Sequence, residues 1–267
     1  MIGAASPRRA PDPAARPAIR PARVRALAAA ALVGTSIAAH AVDSSEYLVS
    51  PIVTQGEREF DWESGAGSPG PRTHSEVNSG VGIGLGVSEH WATEVALEYH
   101  KISTRRTVPD ELEWENVYAL ADQGEWPVDV GLSLDLSRSV TGSGTNSLRF
   151  GPLFQKEFGN YLANFNLLFL RRYKQHAYSG LEPRYQAQIE YRYSEPLEFG
   201  LQAFGRLGAG GHFHVGASRQ VHRMGPVVLG NFNLARGHSI SYNAAWLYGL
   251  TGASPRSTFR LQIEFEF

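Results

Sequence analysis

The chain contains no cysteine. That absence excludes zinc–thiolate centres, disulfide frameworks and thiol nucleophiles together, although it leaves export open. An excess of one charge is missing as well. Lys and Arg number 25 against 26 Asp and Glu, for a formal charge of -1. A nucleic-acid binder would show a basic patch, so that class is set aside. Beyond residue 41 no apolar run reaches the length of about 18 residues that a membrane-spanning helix needs.

What is present at the start reads as an export signal. Arg8, Arg9, Arg16, Arg20, Arg23 and Arg25 stand against one acid, Asp12. The apolar run ALAAAALVGTSIA over 26–38 follows, then Ala39-His40-Ala41. A basic region, a short apolar core and a small-x-small site together predict a cleavable secretory signal over 1–41. The basic region is long, so translation starting at a codon read here as Val24 also fits. A disordered Pro/Arg tail before a buried helix is the bland alternative. Removing 1–41 takes away six Arg and one Asp, which leaves the remainder at about -6.

The remainder, 42–267, alternates apolar and polar residues almost throughout. WATEVALEYH, VDVGLSLDL, YLANFNLLF, RYQAQIEYRY and SISYNAAWLY each place apolar or aromatic residues at every second position. Period two is the strand signal. Twelve such segments are predicted, at roughly 47–63, 74–87, 91–103, 111–122, 128–137, 146–157, 161–171, 184–193, 197–206, 225–235, 239–249 and 257–267. Their connections alternate between tight turns and longer Gly/Ser/Pro-rich loops, the rhythm of an up-and-down meander.

Two folds bury such strands. A sandwich turns the apolar face inward; a membrane barrel turns it to lipid around a polar lumen. Three features favour the barrel. Charged groups fill the polar positions of consecutive strands. The segments are about ten residues long, enough to cross a bilayer at a tilt. Aromatics such as Trp91, Tyr161, Tyr193 and Trp246 sit toward segment ends, as interface girdles do. The expected fold is all-β, a single antiparallel up-and-down transmembrane β-barrel of about 12 strands. Ten or 14 also fit, because 47–63 contains Pro51 and Gly56.

The signal, the strands, the turn-and-loop rhythm and the final Phe265-Glu266-Phe267 resemble Gram-negative outer-membrane β-barrel proteins. YLVSPIVTQGERE, ENVYALADQGEWPVDVG and YNAAWLYGLTGASPRST are similar to an uncharacterised porin- or transporter-like group of proteobacterial barrels. The resemblance implies an outer-membrane location, lipid contact, and a partner in the barrel-assembly machinery. Phe265 and Phe267 match that machinery's C-terminal signal. It implies no particular solute.

Following the alternation inward yields lumen candidates. The acidic ones are Glu57, Glu59 and Asp61; Glu94 and Glu98; Glu111, Glu113 and Glu115; and Asp129 and Asp135. The basic ones are Lys156, Arg192, Arg206 and Arg260. Stacked carboxylates repel in low dielectric and need cations, Arg or water. They would form one wall of a narrow pore, or an internal salt-bridge network that plugs it. Gly80, Gly82, Gly84 and Gly86 have strand period and no helix after them, so they are not a phosphate loop. They should line the lumen, where they allow packing or bending. His212, His214 and His222 lack a carboxylate within their loop, so no metal site is expected. No compact His-Ser-Asn cluster points to an outer-membrane lipase or deacylase. The expected function is a narrow passive channel for ions or small solutes, with no cofactor and no nucleic acid. A non-conducting structural or surface-interaction barrel is the alternative, and a lipid-modifying enzyme the lesser one.

Overall fold

The computed structural model describes residues 44–73, 75–101, 108–140, 146–173, 180–208 and 212–267. The segment 1–41, assigned to a signal, lies outside them. Twelve strands follow in order: β1 (Arg58–Gly67), β2 (Glu76–Gly86), β3 (Trp91–His100), β4 (Val108–Ala119), β5 (Asp129–Ser139), β6 (Asn146–Phe158), β7 (Tyr161–Tyr173), β8 (Leu181–Ser194), β9 (Leu197–Arg206), β10 (Val221–Asn233), β11 (Ser239–Gly249) and β12 (Ser257–Glu266). Each pairs antiparallel with its chain neighbours, and β1 pairs with β12 to close a barrel. Closure leaves no edge strand with unpaired backbone groups, the condition for a sheet in lipid.

The connections keep the predicted rhythm. At one rim β6 turns into β7 through Gly159 and Asn160 alone, with Gly159 at φ 63°. Only glycine takes that conformation without strain. At the other rim β9 reaches β10 through 207–220. The first residues of β1 and the last of β12 sit at the short-turn rim, where Glu59 lies opposite Glu266.

The burial pattern is inverted relative to a soluble sheet. Ile83, Val95, Leu132, Leu201 and Trp246 are exposed on the outside, Ile83 by 65%. Asp135, Asn166, Gln186, Gln202 and Arg260 are buried inside. Exposed aromatics crowd the short-turn rim, where Phe158 stacks on Tyr161, Tyr161 meets Tyr191, and Phe232 stacks on Tyr242. Part of the interior is apolar: Phe204, Val227, Ala245 and Leu247 pack together on β9, β10 and β11.

One predicted strand is corrected. The ladder starts at Arg58, not at 47, and β12 pairs with 59–67. Pro51 cannot donate to a ladder, and Gly56 turns the chain at φ +82°. Residues 44–56 go elsewhere.

Candidate functional site

Residues 44–56 form a strap inside the barrel. Ser44 donates to the carbonyl of Gly65 on β1 at 3.1 Å. The Tyr47 hydroxyl donates to the Leu261 carbonyl on β12 at 2.9 Å and accepts from the Ser64 amide at 3.1 Å. The strap then crosses the lumen. Val49 receives Asn166 of β7 on its carbonyl at 2.8 Å and donates its amide to Gln186 of β8 at 3.3 Å. Ser50 bonds Gln155 of β6 at 3.3 Å. The Gly56 amide finally reaches the Gly86 carbonyl at 2.8 Å, at the short-turn rim. Inward glycines make the room: a Cβ on Gly65 would overlap the Ser44 carbonyl, and one on Gly86 the Thr54 carbonyl.

Two ion contacts fasten the strap. The Glu46 carboxylate lies 3.2 Å from Arg223, and both are buried. The Arg260 guanidinium is sandwiched between the Tyr47 ring at 4.3 Å and the Phe204 ring at 4.6 Å.

Beside the strap runs a cavity of about 360 Å³. It reaches from Glu59 near the short-turn rim to Asp110 and Arg172 near the long-loop rim. Among the described residues, eleven carboxyl groups and four guanidinium groups line it. A second cavity of about 250 Å³ is lined by Glu190, Glu198, Asn231 and Asn243, and it shares Gln262 and Glu264 with the first.

The glycines of β2 explain how so many carboxylates fit. Gly84 lies opposite Glu59 on β1 and Glu94 on β3, and Gly80 opposite Glu63 and Glu98. A side chain on Gly80, Gly82 or Gly84 would overlap Glu98, Glu94 or Glu59 respectively. The stripe is a floor over which carboxylates from both neighbouring strands lie. Meanwhile Val81, Ile83 and Leu85 face outward, as the period requires. On the next wall Arg149 of β6 bridges three acids: Asp135 at 2.6 Å, Glu115 at 3.1 Å and Glu113 at 3.2 Å.

The predicted residues divide by position. Glu59, Asp61, Glu94, Glu98, Glu111, Glu113, Glu115 and Arg206 line the larger cavity. Asp135 and Arg260 are buried inside, outside its lining. Three lie toward the short-turn rim. Asp129 accepts from the Gly124 amide at 2.6 Å. Arg192 pairs with Glu157 at 3.0 Å. Glu57 precedes β1, and burial first, then Glu266 and Glu59, raise its carboxyl pKa. Lys156 is corrected: it shares the outward face with Phe154 and Phe158 and caps the Pro127 carbonyl. An ammonium close to a rim can extend along the apolar surface to a polar partner, so its charge says nothing about facing. His214 and His222 each bond Gln220, and Tyr185 bonds the other nitrogen of His222.

The basic candidates named from the sequence left out the interior cations Arg149, Arg172, Arg184 and Arg223. Strict parity would have found Arg149, since it shares a face with Gly151, Leu153 and Gln155. No strand parity could have found Glu46 or Tyr47, which lie on no strand.

The closed barrel with an apolar exterior and a polar, strap-filled interior belongs to the class of outer-membrane-type β-barrels. No family model matches the chain, and no curated protein matches it either. Solved structures do. An outer-membrane channel from Pseudomonas putida F1 superposes with a TM-score of 0.56 at 8% identity, over 85% of this chain and 98% of that one. The NanC porin superposes with a TM-score of 0.51 at 12% identity, over 78% of this chain and 98% of that one. At such identities the likeness is one of fold.

Proposed function

We propose that the chain is a passive outer-membrane channel for ions or small solutes, exported with 1–41 removed. The short turns would face the periplasm and the long loops the exterior. One observation carries the reading: the larger cavity borders the strap at Ser45–Val49, reaches from Glu59 to Asp110 and Arg172, and shares Gln262 and Glu264 with the second cavity. A solute would move between the strap and the carboxylates of β12, β1, β3 and β4. An excess of carboxyl over guanidinium groups in a narrow passage concentrates cations. The test is single-channel recording of refolded protein in planar bilayers. Discrete conductance with cation preference is expected, and Glu113→Gln with Glu115→Gln should weaken that preference. Absence of conductance steps in repeated reconstitutions would sink the channel.

A second reading, a non-conducting structural barrel, draws on the strap itself and on the three-way clasp of Arg149. These features fill much of the lumen, as an internal plug would. The same recordings separate the two.

A further inference from the structure

The lumen also holds a concentration of positive charge, and three of its guanidinium groups, on Arg172, Arg184 and Arg206, line the larger cavity itself. Arg172, Arg184, Arg206, Arg223 and Arg260 come from β7, β8, β9, β10 and β12. Arg184 lies directly opposite Arg206 across the β8–β9 pair, which concentrates positive charge on this side of the lumen. Arg223 is 2% exposed and Arg260 fully buried. Arg223 gives one Nη to Glu46, yet its Nε and other Nη have no hydrogen-bond partner among the described residues. Arg260 donates to Gln202 at 3.3 Å, while its Nε and Nη2 have no hydrogen-bond partner among the described residues. Buried guanidinium N–H groups without acceptors are costly. Their forked geometry is matched best by an oxyanion such as a carboxylate.

Carboxylates of the chain already reach two of the five: Glu182 pairs with Arg172 at 2.9 Å, and Glu46 reaches Arg223. Glu46 sits on Arg223 and also accepts from Gln186 at 3.5 Å. It arrives on a strap with no strand ladder. A ligand tethered through a short segment competes at an effective concentration in the millimolar range, so a free solute can displace it.

We propose that the arginine quarter of the lumen is a carboxylate-binding site, occupied in cis by Glu46, and that a solute carboxylate competing for Arg223 loosens the strap. The gating half rests on the channel reading above; the binding half does not. The binding test uses the full chain refolded in detergent. Glu46→Ala should lower the temperature of the heat-modifiable gel shift. About 100 mM acetate, well above the millimolar effective concentration of the tether, should recover most of that loss. Chloride at the same ionic strength should not, and Glu46→Ala combined with Arg223→Met should show no recovery. Equal behaviour in acetate and chloride overturns the site. If Glu46→Ala does not refold, the decision passes to wild type in bilayers. There, exchange of chloride for glutarate should raise the frequency of the larger conductance level, and Glu46→Gln should show that level without glutarate. Unchanged conductance in glutarate removes the gating role. Acetate recovery with no conductance under any condition keeps the site and removes the channel.

Discussion

At the scale of single residues, the interior is arranged around two devices: a cation that clasps several acids and glycines that leave space for them. Arg149 is the clearest clasp, since Asp135, Glu113 and Glu115 all depend on it. Removing one partner from a buried ion cluster typically costs about 3–5 kcal/mol, because the charges left behind lose their compensation. Arg149→Met is therefore expected to destabilise the refolded barrel by that order, read as a fall in its unfolding midpoint in urea. Arg149→Lys should recover little. A single ammonium cannot present the separated donors that reach three carboxylates at once. The glycines make a graded prediction. At Gly82 an added methyl meets the flexible end of Glu94, which can swing aside; at Gly86 it meets the Thr54 backbone, which cannot. Gly86→Ala should cost about 1–3 kcal/mol, the usual range for overpacking. Gly82→Ala should cost less on the same unfolding curve.

At the scale of elements, alternation carried the strands because every strand has lipid on one side and water or polar groups on the other. Period two is the direct imprint of that asymmetry, so YLANFNLLF and SISYNAAWLY could be read face by face. The strap broke the method for a physical reason. A segment inside the lumen also mixes Tyr47 and Val49 with Glu46 and Ser50, yet its partners are side chains of distant strands, not a ladder. Pro51 and Gly56 mark the break. Nothing local shows that Tyr47 will meet Leu261, far along the chain. The interior cations were hidden differently: Arg223 precedes the expected strand start at 225, whereas β10 begins at Val221, and the meaning of Arg149 lies in which carboxylates face it. The strap's dependence on one side chain can be tested. Tyr47→Ala removes the ring over Arg260 and the hydroxyl bonds to Leu261 and Ser64. The barrel ladder does not involve Tyr47, so heat-modifiable mobility should persist. Residues 44–55 should then become open to protease cleavage, and single-channel conductance should rise.

At the scale of the whole molecule, closure joins the start of the sheet to its end, and the last residue shows how little of that closure rests on one side chain. Phe267 donates its amide to the Arg58 carbonyl at 2.8 Å and stacks on Phe265 with centroids 5.7 Å apart. It is 51% exposed, on the outside of the short-turn rim. One hydrogen bond is worth about 1 kcal/mol net, and an exposed aromatic pair about as much again. The register from Glu59↔Glu266 to Gly67↔Thr258 stays intact without it. Deleting Phe267 should thus shift the unfolding midpoint of refolded protein only slightly. In cells we propose a larger effect, with Phe267 acting as the assembly signal that the resemblance to outer-membrane barrels implies. Outer-membrane levels of the truncated chain should fall severalfold, measured by fractionation and immunoblot, while the refolded protein keeps its heat-modifiable mobility. A matching loss in both measurements would place the role of Phe267 in stability; normal membrane levels would deny it any role in assembly.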